Sequence, residues 1–410
     1  MTRKDRTALI LAFTRVLFIN GESTHQTVAA AKRLGNSLGV RAALFPHWGS
    51  LEVQTEDADG ASLLAMEAAP SGVDMDRVAA TQRTIQDLCD RRLAPQPASE
   101  AIRKIAEAPP VPTWVFTLAS GVCAVALAVI FGVQHLPAAA LIFGSAAAGA
   151  LLRRTVARYS TSLFVQPCCA ALVAGIVGAL AVRFDFSSSQ RLVAVCPCMV
   201  LVPGPHFLNG MLDLIRGRMS LGGARLLYAM LIVVAISAGL LVGLALGGVS
   251  LPVDAVGRPT ALWQDVLAAG VAAACYSIFF STPWQMLAWP VAAGSAAHAL
   301  RWVALTLLGT SAPAAAFLAC LIVGTIVAPV SRRYRMPFTA IGFASVVSMI
   351  PGVLMFRMAS GLTQLTSAPQ RTWDLMAAAL SDGWLAVLVI LAMSFGLMAP
   401  KLLIDFISER

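Results

Sequence analysis

Three polar side chains, His206, Asn209 and Asp213, follow Pro203-Gly204-Pro205 at spacings of three and then four residues, within an apolar stretch from Arg191 to Asp213. That spacing puts them on one helical face. Proline removes a backbone donor and clashes with the preceding turn, so a regular helix cannot pass through Pro203 and Pro205. In hydrocarbon, the amides and carbonyls freed by such a break must be met by protein, water or a ligand. The half-helix restarting after Gly204 offers amides and a partial positive charge, which suits a carboxylate. His206 and Asp213 are ionisable groups inside a span and therefore candidates for carrying protons. For Asp213, near the end of the stretch, an ion pair with Arg216 is the simpler role.

The pattern returns 148 residues later as Ile350-Pro351-Gly352-Val353. Arg357 stands where Asn209 stood and can hold a carboxylate through two parallel N–H bonds. Its place late in the span also lets it snorkel to the interface. Ser345 and Ser348 precede this second break and can donate to a substrate or to their own helix. The candidate substrate-binding residues are thus Pro203, Gly204, Pro205, His206, Asn209, Ser348, Pro351, Gly352 and Arg357. His206 and Asp213 are the candidates for proton coupling. Two broken spans at matching places in two halves point to a transporter's substrate site.

The elements that must position these residues are membrane helices. The chain has 410 residues, 58% hydrophobic and 12% charged, where soluble proteins carry roughly a quarter charged. Its mean hydropathy is +0.76. A net charge of +9 could suggest nucleic acid, but the arginines cluster in short loops between apolar spans, so topology accounts for it. The pattern places spans at 113–133, 136–152, 163–182, 191–212, 224–248, 262–281, 284–301, 311–331, 337–360 and 376–400. The first five map onto the last five at the same offset. An odd number per unit makes the second unit enter from the opposite side.

The expected fold is an α-helical polytopic membrane protein of ten spans in two inverted five-helix repeats, 113–250 and 251–410, behind a small N-terminal α/β cytoplasmic domain and linker, 1–112. With that domain inside, internal loops and tail hold eleven positive residues and external loops five, which favours both termini in the cytoplasm of a bacterial inner membrane. The opening residues imitate a signal peptide, but Arg15 interrupts the apolar run and no small-residue cleavage site follows. They read better as a helix with Leu9, Ile10, Phe13 and Leu17 on one face. Ser23 or Thr24 can cap a second helix and Asp74 a later one. Between them lie strand-like runs at Arg41–Phe45, Leu51–Thr55 and Ser62–Glu67.

Other constellations carry less. Seven of the eight cysteines lie in or beside apolar spans and none forms a CxxC pair, so they read as small core residues. Cys168-Cys169 and Cys196/Cys198 would sit roughly 15 Å apart in depth, too far for one metal. No GxxxxGK[ST] phosphate loop occurs. With no nucleophile–base pair either, a membrane-bound enzyme or sensor is the weaker reading, and no cofactor is implied. Gly239, Gly243 and Gly247, and Gly144 with Ala148, repeat at four residues and should let helices approach closely. The expected partners are a small-molecule substrate and the lipid bilayer, with no nucleic acid; a homo-oligomer fits equally.

On INGESTHQTVAAAKRLGNSLGV, LVPGPHFLNGMLDLIRGRMSLGGARL and MIPGVLMF, the chain resembles the threonine/serine exporter family over nearly its whole length. The resemblance implies export of threonine and serine driven by the membrane potential or proton gradient. Some relatives carry the halves on two chains and export dicarboxylates such as succinate. Glu22-Ser23-Thr24-His25 departs from the small-acidic-Thr/Ser-x-Arg run usual in relatives. Topology is directly testable: a cysteine introduced within 249–257 is expected to react with an impermeant thiol reagent from outside, and one at Ala157 is not. The reverse labelling would overturn the inverted arrangement.

Overall fold

Thr2 and Asp5 exchange hydrogen bonds as a capping box and start α1 (Arg3–Ile19). Leu9, Ile10, Phe13 and Leu17 are buried as the periodicity predicts, but so are Leu11, Val16 and Phe18. α1 is therefore covered on both faces and runs through the centre of its unit. Ser23 caps α2 (Thr24–Ser37) through the Gln26 amide. Then β1 (Arg41–His47), β2 (Gly49–Asp57) and β3 (Gly60–Ala68) form an antiparallel meander in that order. Leu51, Val53 and Thr55 of β2 are buried at alternate positions, the period of a one-sided sheet. Asp74 caps α3 (Met75–Cys89), and α4 (Pro95–Glu107) starts on a proline, whose missing N–H costs nothing in a first turn.

This computed structural model describes the chain except residues 59, 161, 185–189, 252–259, 335, 366–371 and 409–410. Most of the expected loop at 249–257 lies outside the described residues, as do Arg258, Arg335, Arg371 and Arg410 of the loop-charge count.

The rest is helical: α5 (Thr113–Ile130), α6 (Leu136–Val156), α7 (Val165–Arg183), α8 (Gln190–Met199), α9 (Gly204–Ile215) and α10 (Met219–Leu246), then α11 (Leu262–Phe279), α12 (Ala288–Thr306), α13 (Ala312–Tyr334), α14 (Phe338–Val346), α15 (Gly352–Gln364) and α16 (Thr372–Ser408). Among the described residues, seven helices are long and apolar enough to cross a membrane: α5, α6, α7, α10, α11, α13 and α16. Two bent pairs raise that to nine. α8 and α9 meet at 56°, and α14, extended by a 3-10 turn at Val347–Met349, meets α15 at 50°. The protein is a polytopic helical membrane protein. α12, at the place of the expected seventh span, is not among the nine; it carries His298 and Arg301.

Neighbours in the first six of these helices recur in the last six. α5 packs on α6 as α11 does on α12, α7 on α10 as α13 on α16, and α9 on α10 as α15 on α16. α7 and α10 approach each other closely. A Cβ on Gly239 or Gly243 would run into the carbonyl of Cys168 or Leu172, and one on Gly247 into Ala179. Gly144 differs from the sequence expectation, because a Cβ there would meet nothing within 4 Å. Among the described residues nothing packs on that position, so the small-residue spacing at Gly144 reports no close helix contact. Gly239→Ala is accordingly expected to destabilise the protein by about 1–3 kcal/mol and Gly144→Ala to be near neutral, compared as melting temperatures in detergent.

Candidate functional site

Both breaks have one local structure. Pro203 (φ −80°, ψ 63°) and Pro351 (φ −78°, ψ 52°) sit at the centre of three-residue turns closed by Gly204 N–H to Val202 O and Gly352 N–H to Ile350 O, each 2.8 Å. These are inverse γ-turns, whose φ proline already supplies. The half-helices after the turns differ. At the start of α9, Gly204 N–H is used in the turn, Pro205 has no N–H, and His206 and Phe207 donate to Pro203 O at 3.1 and 3.3 Å. α9 therefore begins without a free amide. At α15, Met355 N–H reaches Pro351 O at 3.2 Å, while the amides of Val353 and Leu354 find no backbone acceptor among the described residues. Among the described residues, amides without a backbone acceptor thus follow the second break and not the first.

The breaks also pack on each other. A Cβ on Gly204 would overlap Ile350 and come within 3.2 Å of Val347; one on Gly352 would lie 3.2 Å from Val202 and 3.6 Å from Met199. A side chain at either glycine would require the side chains of the other break to shift.

Beside the first break lies a cavity of about 310 Å³ lined by Pro203, Pro205 and His206, by Arg153 and Arg154 of α6, by Gln166, by Tyr228 of α10, and by Ser71–Asp74 of the N-terminal unit. Arg153 Nε is buried without a hydrogen-bond partner, and its guanidinium lies 5.9 and 5.5 Å from the rings of Phe116 and Phe279. Arg154 sits 4.5 Å over Phe116 and donates to Val111 O. Tyr228 is held between Trp48 and His206, at ring separations of 5.0 and 5.1 Å. Asp74 accepts from Arg77 N at 3.2 Å and lies 3.7 Å from Arg77 Nε. Burial raises its carboxyl above the ordinary range, against the lowering effect of Arg77. The cavity thus brings a cation with an unused N–H and a desolvated carboxylate to one space.

The other candidate residues lie elsewhere. Asn209 Nδ2 donates to Gly21 O at 3.1 Å, and Asp213 Oδ2 accepts from Thr24 Oγ1 at 2.8 Å. Arg225 Nε stands 3.2 Å from the same oxygen and Arg218 Nη1 3.4 Å from Oδ1. Arg225 is 0% exposed and lies 5.2 Å over the Phe18 ring. The segment 20–24 also grips the second half, where Glu22 Oε1 accepts from Thr339 Oγ1 of α14 at 3.0 Å. Ser345 bonds its own helix at Ile341 O, and Ser348 meets His298. Arg357 Nε pairs with Asp382 Oδ2 at 3.1 Å. Of the sequence candidates, the structure brings Pro203, Pro205 and His206 to the cavity and joins Gly204 to the second break. Arg153, Arg154, Asp74 and Tyr228 were not singled out for the site. The one signal was Arg153, which falls on Arg301 at the repeat offset.

A family model for the threonine/serine exporter matches residues 8–247, and a second, described as "Threonine/Serine exporter, ThrE", matches residues 265–403. The chain belongs to the threonine/serine exporter family. That family is one of transporters, not enzymes. A curated protein of Mycobacterium tuberculosis (strain ATCC 25618 / H37Rv), "Probable threonine/serine exporter", is 27% identical over 320 residues. The match covers 72% of this chain and 59% of that protein, so the chain spans well under two thirds of the relative's length. No solved structure matches.

The buried Asp213–Arg225 pair has a testable weight. Arg225→Ala leaves a carboxylate in an apolar interior, which costs about 3–5 kcal/mol. Thr24→Val removes one neutral donor and is expected to cost about 1–3 kcal/mol. Thermal unfolding of the purified variants, with proteolysis of the N-terminal unit as the local readout, checks that order.

Proposed function

We propose that the protein exports threonine and serine across the bacterial inner membrane, coupled to the proton motive force, by alternating access between two inverted five-span repeats. α12 is then the tenth span, the repeats occupy 113–250 and 251–410, and the unit 1–112 lies in the cytoplasm with both termini. The family and the recurring helix neighbours support this reading. The observation that carries it is the cavity at the first break, where Arg153 and Asp74 offer opposite charges to one small molecule. The free edge of Arg153 suits the α-carboxylate and Asp74 the ammonium; His206, Tyr228 and Gln166 are at hand for the hydroxyl. Pro203, Gly204 and Pro205 frame this site, and Pro351, Gly352 and the free amides of Val353 and Leu354 frame its counterpart.

A dicarboxylate fits less well. Asp74 would repel a second carboxylate, and Arg357 already faces Asp382. Asn209 and Asp213 serve the same cycle from a distance, by fixing α9 to the N-terminal unit, which closes the cavity from its own side.

Proteoliposomes loaded with labelled threonine, serine or succinate test the reading. Threonine and serine efflux is expected to exceed succinate efflux, and the opposite order would overturn the assignment. A lost charge-assisted hydrogen bond costs roughly 1.5–3 kcal/mol, and 1.4 kcal/mol is tenfold. Arg153→Gln should therefore weaken threonine affinity by about tenfold to a hundredfold, and Asp74→Asn should weaken it too.

A further inference from the structure

Three side chains from three elements form a closed row at the second break. His298 of α12 lies with Nδ1 3.2 Å from Asp265 Oδ2 of α11 and Nε2 3.0 Å from Ser348 Oγ, in the 3-10 turn that leads into Ile350-Pro351-Gly352. His298 is 0% exposed, Asp265 4% and Ser348 5%. Ionisable groups this deep in apolar helices are costly and stay only where they are paired or used. The fold itself does not require them. At the repeat offset, the first half has Thr117, Ala150 and Val200 at the three positions, and it builds the same γ-turn without the row.

We infer that Asp265, His298 and Ser348 form the proton-binding site through which export is coupled to the proton gradient. This rests on the transport reading above and names its coupling site, at a distance from the substrate cavity. In the neutral state Nδ1–H donates to the Asp265 carboxylate, and Nε2 accepts from the Ser348 hydroxyl. One proton from the outer aqueous phase forms the Nε2–H bond, and the imidazolium then donates from both nitrogens. Ser348 Oγ must change from donor to acceptor and turn its own hydrogen elsewhere. That switch occurs two residues before the turn, so protonation acts on the break directly. Loss of the proton to the inner phase restores the first arrangement, with no other bond made or broken.

The charged and titratable groups around His298 are few. Arg301 lies one turn further along α12 and interacts electrostatically with Asp265 of α11 and Cys320 of α13. α11 also carries Cys275 and Tyr276, the latter donating to Met199 O, and α14 carries no ionisable residue. Arg332, Arg333 and Tyr334 are at the far end of α13, and the 3-10 turn at Trp284–Met286 has none.

The test is threonine efflux from proteoliposomes with and without an imposed pH gradient, read as a ratio so that the amount of active protein cancels. The ratio should exceed one in the wild type and fall to about one in His298→Gln. Ser348→Ala should lower it and Ser348→Thr, which keeps the hydroxyl, should restore it; this pair carries the test if His298→Gln does not insert. A wild-type ratio of one, or an unchanged ratio in Ser348→Ala and His298→Gln, overturns the proposal. Titration of the detergent-purified protein needs no transport. On stepwise acidification, wild type should take up about one proton more than His298→Gln. Equal uptake overturns the site even if neither threonine nor serine moves, an outcome that would separately overturn the substrate assignment.

Discussion

A helix that stops inside hydrocarbon must pass its backbone groups to something, and here each break meets part of that demand within its own turn. Each proline closes a γ-turn that uses the first amide of the new half-helix, and Pro205 eliminates another donor from α9. The remaining exposure is covered by crossing the breaks, with Gly204 under Ile350 and Gly352 beside Val202. Packed interiors respond to such contact by switching between arrangements, since they have no slack to deform gradually. Neither half-helix can therefore tilt without moving the other.

The N-terminal unit is bound into the same constraint. The five residues Asn20–Thr24 reach Asn209 and Asp213 in one half and Thr339 in the other. They do so through buried polar groups, of which Asp213 has its charge balanced on the spot. Asp213 is expensive to bury alone; Arg225 and Arg218 of its own half balance its charge, and Thr24 of the docked unit adds a hydrogen bond. A movement of α9 large enough to open the cavity elsewhere must break or carry along that cluster. The N-terminal unit thus belongs mechanically to the helical body.

Much of this was legible in the sequence. Proline fixes where a helix ends, so both breaks were placed to the residue, as was the cap at Asp74, and the cap of α2 fell on Ser23, one of the two residues foreseen. The strands and the buried face of α1 followed from period alone. The illegible part depends on which elements meet. Asn209 and Asp213 have the spacing of a substrate face, yet the face they share meets a folded unit that hydropathy cannot place. Arg153 reads as a loop charge until α5 and α11 are seen to set Phe116 and Phe279 beside it. Arg357 looks unpaired until α16 supplies Asp382. Gly144 has the spacing of a packing stripe and no neighbour to pack on.

The two halves share a backbone device and divide the chemistry. Beside the first break lies a cavity edged by Arg153, Arg154 and Asp74. Around the second, α11 and α12 close on the turn through Asp265 and His298, and the positions answering to them in the first half are Thr117 and Ala150. A device built twice with one local geometry can be pushed from either end, because the crossed turns transmit displacement both ways. If the first break holds substrate and the second a proton, as proposed above, a single packed contact, Gly204 against Ile350, would carry the coupling between them. The groups at each end then need to recognise only their own ligand.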